Sequence, residues 1–156
     1  MILYHGTTVN IERIDLMKSK PNKDFGRAFY LSEDYNQALE MAQFKAEFAE
    51  LPPVVNVYSF DEKFLQELRY KRFGSYTEEW AHFVYNHRSE PQGRTLHEFD
   101  IVYGPIANDT IGAQITRYKQ NYITFEEFLK RIQYPKGITF QYAFCTQRAI
   151  DKLIKQ

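Results

Sequence analysis

The spacing of short apolar segments along the chain is the feature that most limits its fold. Segments rich in β-branched and aromatic residues, typical of strands, occupy residues 2–4, 27–31, 54–60, 100–103, 111–118 and 138–145. The connections between them differ widely in length, and the strict alternation of strand and helix that a doubly wound sheet requires is absent. We therefore predict an α+β fold with a mixed or mostly antiparallel sheet.

Capping residues predict where four helices begin. Ser32, Thr77, Thr124 and Thr146 each precede an amphipathic segment, and their hydroxyls can accept hydrogen bonds from the first free N–H groups of a helix. Thr124 with Glu127 also fits a capping box. The predicted helices cover residues 33–50, residues 77–86, a segment from 124 that Pro135 and Gly137 end, and residues 146–154.

Apolar residues at steps of three and four predict which helix faces enter the core. In the first helix these are Tyr35, Ala38, Leu39, Ala42, Ala46 and Ala49, and in the second they are Trp80, Phe83 and Val84. The third helix has Phe125, Phe128, Leu129 and Ile132, and the last has Ile150, Leu153 and Ile154. We expect each set to pack inward.

Composition bounds the class of protein. The chain of 156 residues has the length of one domain, and we predict a single domain over residues 1–156. Lys plus Arg equals Asp plus Glu at 20 each, so no net charge attracts nucleic acid or an acidic membrane. No apolar run approaches the roughly 20 residues of a membrane span, and Cys145 has no second cysteine. We expect a soluble, unprocessed cytoplasmic protein whose main task is not nucleic-acid binding.

Several familiar sites are missing from the sequence. It contains no Gly-x-Gly-x-x-Gly, Gly-Lys-Ser/Thr, His-Glu-x-x-His or Gly-x-Ser-x-Gly motif. His82 and His87 are five residues apart, which separates them by about 140° around a helix and does not suit one metal ion. We therefore expect no metal site.

Polar and aromatic residues occur instead at the ends of predicted strands. His5 and Gly6 follow the first strand, residues 24–27 lead into Tyr30, and Gln141 lies in the last strand. A rigid sheet can direct such side chains into a cleft. The residues alone leave an ordinary alternative for each one: a hydrogen-bonded turn residue for His5, a core aromatic for Tyr30 and a solvent-facing strand residue for Gln141.

These segments resemble a known superfamily. Leu-Tyr-His-Gly-Thr at residues 3–7 and Asp-Phe-Gly-Arg-Ala-Phe-Tyr-Leu-Ser at residues 24–32 are similar to the opening of the ADP-ribosyltransferase superfamily, in the branch of diphtheria-type toxins and poly-ADP-ribose polymerases. Residues 80–88, 100–109 and 141–144 resemble a bacterial family of unknown function within it. The resemblance covers nearly the whole chain. It implies an ADP-ribosyltransferase-like fold with a split sheet and flanking helices, and NAD as the substrate.

The resemblance also implies roles for individual residues. His5 would hold a ribose hydroxyl of NAD, the Gly6 backbone would hold the nicotinamide carboxamide, and the Tyr30 ring would stack on nicotinamide. Gln141 occupies the position of the superfamily's catalytic Glu. Further expected NAD contacts are Thr7, Gly26, Arg27, Ser32, Asn86 and Arg88, with Asn108 and Asp109 as secondary candidates. A helix end is the alternative for Asn86, and a turn is the alternative for Asn108.

Gln141 departs from the superfamily pattern because its amide carries no charge. Glu90, Glu98 or Asp100 could supply a carboxylate from a neighbouring loop or strand end. The resemblance implies mono-ADP-ribosylation of a macromolecule rather than chain formation, in a bacterial toxin–antitoxin setting with a protein inhibitor. Two alternatives stay open: an NAD glycohydrolase, and a non-catalytic module that binds NAD, ADP-ribose or a partner protein.

Overall fold

The computed structural model of the chain describes residues 1–132 and 137–156, so the predicted helix stop at Pro135 lies outside the described residues. The strands are β1 Ile2–Thr7, β2 Phe29–Leu31, β3 Val54–Ser59, β4 Tyr70–Arg72, β5 Ile101–Pro105, β6 Phe140–Phe144 and β7 Ile154–Lys155. The α-helices are α1 Tyr35–Ala49, α2 Glu78–Arg88, α3 Asp109–Lys119, α4 Phe125–Arg131 and α5 Gln147–Ile150. Short 3-10 helices span Leu16–Lys18 and Glu62–Gln66.

The strands form two sheets that meet at one point. One sheet has the antiparallel order β1-β3-β7, and the other has the order β2-β6-β5-β4, in which β4 and β5 are parallel. Tyr4 of β1 and Ser32, just after β2, join the sheets by two backbone hydrogen bonds of 2.8 and 2.9 Å. The predicted α+β class with mixed and antiparallel strands and flanking helices is therefore confirmed.

The four-stranded sheet is covered on both faces. Between the two sheets lie Leu3, Phe29, Leu31, Tyr58 and Phe144, all buried. The other face is covered by α2, α3, α4 and the segment before β2, through the buried residues Phe25, Trp80, Val84, Ile111 and Phe128. Because side chains alternate along a strand, Tyr30 lies on this second face while its neighbours Phe29 and Leu31 lie on the first.

Helix α1 approaches β1 unusually closely. A Cβ atom at Gly6 would lie 1.9 Å from the carbonyl oxygen of Ala38 and 2.8 Å from the amide nitrogen of Ala42. Ala38 and Ala42 are themselves buried. Three residues with little or no side chain therefore let the helix backbone rest directly on the strand, which fixes α1 behind His5.

One predicted strand is wrong. Residues 111–118 belong to α3, which begins at the N-cap Asn108, whose side chain accepts a 2.9 Å bond from the Ile111 amide. The buried residues Ile111 and Ile115 are four apart and lie on one helix face. The β-branched residues of this segment favour a strand, but the cap and the four-residue spacing decide the outcome.

Several boundaries also differ from the predictions. The first strand continues through His5 and Gly6 to Thr7 instead of turning there. The N-cap of α1 is Asp34, not Ser32, because the Asp34 carboxylate accepts bonds from the amides of Asn36 and Gln37 in the first turn. The final helix ends at Ile150, and the chain then extends into β7, which pairs with β3.

The predicted helix faces are confirmed in part. Thr77, Thr124 and Thr146 are N-caps as expected. The predicted core residues that are buried are Ala38, Ala42, Trp80, Val84, Phe128, Ile132 and Ile150. The expectation is wrong for Tyr35, Ala49, Leu129 and Ile154, which are exposed. The strands β4 and β7 were not predicted. No helix in residues 1–132 and 137–156 has both the length and the apolar character to cross a membrane.

The close approach at Gly6 leads to a first prediction. Gly6→Ala should lower the free energy of unfolding by about 3 kcal/mol, since the new methyl group meets rigid helix backbone rather than a side chain that can move. Gly74→Ala is the control, because a Cβ there meets only the end of the flexible Arg72 side chain, at 3.1 Å. Urea unfolding of both variants measures the difference, and equal losses would contradict the packing described.

Candidate functional site

His5 lies where the two sheets part. Its Nδ1 is 2.7 Å from the Tyr30 carbonyl oxygen, which can only accept, so Nδ1 carries the proton and Nε2 is left as an acceptor. Its ring stacks on Phe29 with centroids 4.3 Å apart. Burial lowers the pKa of His5 to about 4, the bond to the Tyr30 carbonyl opposes this, and the positive charge of Lys45 adds to it. The imidazole is therefore neutral at pH 7, in one tautomer.

Lys45 of α1 reaches the same strand. Its ammonium donates a 2.8 Å hydrogen bond to the Gly6 carbonyl. Burial lowers the pKa of Lys45, and the charges of Lys23 and Lys20 lower it further. A ligand carboxamide that used the Gly6 carbonyl would share it with this ammonium group.

Tyr30 is held by the segment that precedes its strand. Its hydroxyl donates to the Gly26 carbonyl at 2.7 Å and accepts from the Phe25 amide at 3.0 Å. Burial raises the pKa of Tyr30 well above its ordinary value, so the hydroxyl stays protonated. Gly26 has a φ of 87° and packs against Thr95 and His87, which a side chain at this position would displace. Residues 24–26 therefore lie over the Tyr30 hydroxyl.

Two neutral histidines, His87 and His97, lie against residues 25–26. His97 donates from Nε2 to the Phe25 carbonyl at 2.9 Å and accepts from the Phe99 amide at Nδ1. His87 donates to the Phe83 carbonyl at 2.8 Å and accepts from the Leu96 amide at Nε2. Burial lowers the pKa of both rings. They support the site through the backbone.

Gln141 lies on the same face of the sheet as Tyr30, since Ala143, two residues further along β6, pairs with Tyr30. Its Nε2 donates a 3.1 Å bond to Asp24 Oδ2. A carboxylate only accepts, which orients the amide with its nitrogen toward Asp24 and its Oε1 away from it. Gln141 therefore presents an acceptor oxygen in a fixed orientation.

Asp24 is the carboxylate that sequence reasoning missed. It is buried, and its Oδ1 accepts from Arg88 Nε at 2.8 Å and lies 2.6 Å from Arg88 Nη2. Its Oδ2 accepts from the Ala107 amide at 3.0 Å and from Gln141. The signal available in the sequence was an acidic residue directly before Phe25 and Gly26, since a carboxylate drawn into the core with them requires several partners.

Arg88 reaches Asp24 by passing over α3. Its Nη2 also donates to the Ala107 carbonyl. A Cβ at Gly112 would lie 2.2 Å from Arg88 Nη1, so a glycine inside this helix makes room for the guanidinium group. Arg88 thus neutralises Asp24 rather than facing the His5 edge.

The three carboxylates considered as replacements have local structural roles. Glu90 accepts from the Gln92 and Arg94 amides and from the Arg94 side chain. Asp100 is buried and accepts from the Arg69 amide at 2.8 Å and the Thr146 hydroxyl at 2.7 Å. Glu98 is exposed and pairs with Arg69. None of these contacts is with His5, Tyr30 or Gln141.

The remaining predicted contacts lie at different places. Arg27 donates to the Met17 and Ser19 carbonyls and so fixes the preceding loop. Ser32 joins the two sheets and accepts from the Asp34 amide. Thr7 ends β1 opposite Val54, Asn86 is exposed on α2, and Asn108 and Asp109 begin α3. Hydrogen bonds join His5 to the Tyr30 backbone, the Tyr30 hydroxyl to Gly26, and Gln141 to Asp24, which Arg88 pairs.

Two cavities lie away from His5, Tyr30 and Gln141. One of about 390 Å³ is bordered by Tyr85, Arg88 and α3. The other, of about 460 Å³, is bordered by Phe83 and the segment 96–99. Neither is lined by His5, Tyr30 or Gln141. The candidate site is the junction of β1 and β2 at His5 and Tyr30, with residues 24–26 over the Tyr30 hydroxyl.

Comparison with known proteins gives one match. Residues 1–155 match a family described as protein of unknown function, DUF3990. This match covers nearly the whole chain, so the chain belongs to that family. No curated protein matches the chain, and no solved structure matches it.

The contact between Asp24 and Gln141 gives a second prediction. Gln141→Glu should lower the free energy of unfolding at pH 7 by about 2 kcal/mol, because it replaces a hydrogen bond with two like charges in a partly buried place. The double variant Asp24→Asn with Gln141→Glu should lose less unfolding free energy than the two single variants lose in sum. A double-mutant cycle measured by urea unfolding gives the coupling.

Gln147→Glu is the matched control for that cycle. Gln147 also donates from Nε2 to a carboxylate, Asp151 at 2.8 Å, but both residues are exposed. Solvent weakens the repulsion there, so the loss should stay within about 0.5 kcal/mol. Strictly additive effects at Asp24 and Gln141 would remove the basis for a coupled pair.

The buried His5 gives a third prediction, for pH. Its folded pKa of about 4 lies below 6.5, so the unfolded chain takes up the proton first as pH falls. Stability is thus fully present above pH 6.5 and declines between 6.5 and 4, by up to about 1.4 kcal/mol per pH unit for this group. His5→Asn should show a shallower decline between pH 6.5 and 5 in chemical unfolding. An unchanged slope would mean that His5 is not buried as a neutral ring.

Proposed function

We propose that this DUF3990 chain is an NAD-dependent mono-ADP-ribosyltransferase with an ADP-ribosyltransferase-like fold. The observation that carries the proposal is the 2.7 Å contact between His5 Nδ1 and the Tyr30 carbonyl oxygen, which leaves Nε2 as an acceptor at the strand junction next to Gly6. The resemblance of residues 3–7 and 24–32 to the superfamily's NAD-binding segments supports it from the sequence side.

Each residue has a distinct task in the proposed reaction. His5 Nε2 accepts a bond from a ribose hydroxyl, and the Tyr30 ring stacks on nicotinamide and orients it. Gln141 Oε1 accepts from the ribose that develops positive charge. The bond between the ribose carbon and the nicotinamide nitrogen breaks, its electron pair leaves with nicotinamide, and an acceptor nucleophile bonds to the ribose carbon and releases its proton to solvent.

The charge around Gln141 bears on the expected rate. A full negative charge about 4 Å from the ribose is worth roughly 4 kcal/mol at an effective dielectric near 20, close to a thousandfold in rate. Here the amide is neutral, and Asp24, which polarises it, is paired with Arg88. We therefore expect slow transfer of single ADP-ribose units and no chain formation.

A second candidate is a non-catalytic module that binds NAD, ADP-ribose or a partner protein. The pairing of Asp24 with Arg88 favours it, since the carboxylate nearest Gln141 is already neutralised. The third candidate, NAD hydrolysis, uses the same residues with water as the acceptor. A macromolecular acceptor, a protein inhibitor and a cytoplasmic location belong to the transferase proposal through the resemblance alone.

The test is nicotinamide release from NAD by the purified protein. We expect slow release, with at least a tenfold loss, about 1.4 kcal/mol in the barrier, in His5→Ala and in Tyr30→Ala. His82→Ala is the control, because His82 lies on α2 against Lys119 and Tyr118, away from the junction.

Labelled NAD separates the three candidates. Label that stays on a macromolecule supports the transferase, and label released as free ADP-ribose indicates hydrolysis. Binding of NAD without nicotinamide release favours the non-catalytic module. No binding at all would falsify the NAD assignment.

A further inference from the structure

Helix α1 carries an exposed apolar seam on the face that points away from β1. Its residues are Met41, Phe44, Phe48 and, just past the helix end, Leu51, with 51, 58, 79 and 51 % of their surface exposed. The Phe44 and Phe48 rings touch edge to face at 5.0 Å. Water therefore contacts two phenyl rings on one short helix, although the opposite face is closely packed.

The seam has the spacing of a helix–helix interface. Met41, Phe44 and Phe48 follow one another at steps of three and four, as the a, d and a positions of a heptad do. Leu51 adjoins them just after the helix, where Glu50 adopts the left-handed conformation. In this register Glu40 and Glu47 occupy g positions on one flank, and Lys45 occupies the e position on the other. The two flanks of the seam thus carry opposite charges.

These flanking charges take part in no ion pair of the described residues. Among residues 1–132 and 137–156, none of Glu40, Glu47 and Lys45 belongs to an ion pair. Lys45 donates one hydrogen bond, to the Gly6 carbonyl, and an ammonium group has three protons. It therefore retains donors for a carboxylate that lies beside the seam.

We propose that this seam binds a second copy of the same chain, with the two α1 helices parallel about a two-fold axis. In a parallel pair, a g residue faces the e residue five positions later on the other helix. Glu40 then meets Lys45 of the second copy, and symmetry gives this pair twice. An antiparallel pair would set e against e and g against g, so that lysine faces lysine and glutamate faces glutamate.

The size of the seam sets the strength of the dimer. Four apolar side chains and two ion pairs fall well short of the surface that a stable interface buries, about 1,200 to 2,000 Å². The dimer is therefore weak and concentration-dependent. The proposal does not depend on NAD chemistry, although Lys45, on one flank of the seam, also donates to the Gly6 carbonyl.

Sedimentation equilibrium over a wide range of protein concentrations tests the seam. The wild type should dimerise reversibly, and Phe48→Glu should raise the dissociation constant at least about tenfold, since it places two charges in the seam. Tyr122→Glu is the matched control: Tyr122 is 77 % exposed, follows α3 and lies outside the seam. A monomeric wild type, or equal effects of both substitutions, overturns the proposal.

Cysteine cross-linking tests the orientation. In a parallel dimer, residue 41 faces residue 41 and residue 48 faces residue 48, so Met41→Cys and Phe48→Cys should each form disulfide-linked dimers alone under mild oxidation. The wild type, whose only cysteine is Cys145, is the control for unrelated linkage. If Phe48→Cys links only when it is mixed with Phe44→Cys, the helices are antiparallel, because an antiparallel pair sets a against d, and the proposed arrangement is contradicted.

Discussion

The buried carboxylate of Asp24 is the constraint on which the arrangement of the candidate site depends. A carboxylate removed from water costs several kcal/mol unless charged and hydrogen-bonding groups surround it. Its partners come from the end of α2, the β5–α3 connection and β6: Arg88, the Ala107 amide and Gln141. These elements must meet in one arrangement for the charge to be compensated, which fixes the segment of residues 24–26.

That segment in turn fixes the orientation of His5 through a series of backbone hydrogen bonds. Phe25 and Gly26 hold the Tyr30 hydroxyl, β2 carries Tyr30 to the sheet junction, and the Tyr30 carbonyl sets the proton on His5 Nδ1. Burial keeps His5, His87 and His97 neutral by lowering their pKa. The result is a site of oriented dipoles, with the ion pair of Asp24 and Arg88 next to Gln141.

The sequence predicted the features that depend on local chemistry. Three of the four N-caps were correct because a hydroxyl before an amphipathic segment acts within one helical turn. The strand predicted for residues 111–118 is wrong, because the β-branched residues there favour a strand while the spacing of Ile111 and Ile115 favours a helix. His5, Tyr30 and Gln141 could be selected by resemblance. Their link through Asp24 could not, since Asp24 and Gln141 are 117 residues apart and only tertiary structure joins them.

Because Gly112 in α3 makes room for Arg88, the residues that can occupy positions 24, 88 and 112 depend on one another. A side chain at Gly112 would occupy the space of Arg88 Nη1, and displacing Arg88 would leave the Asp24 charge uncompensated. Positions 24, 88 and 112 should therefore change together among relatives of this chain: a relative with a larger residue in the helix should also lack the arginine and the acid. Such linked replacement would mark lineages in which Gln141 has a different neighbour, and therefore a different capacity for chemistry.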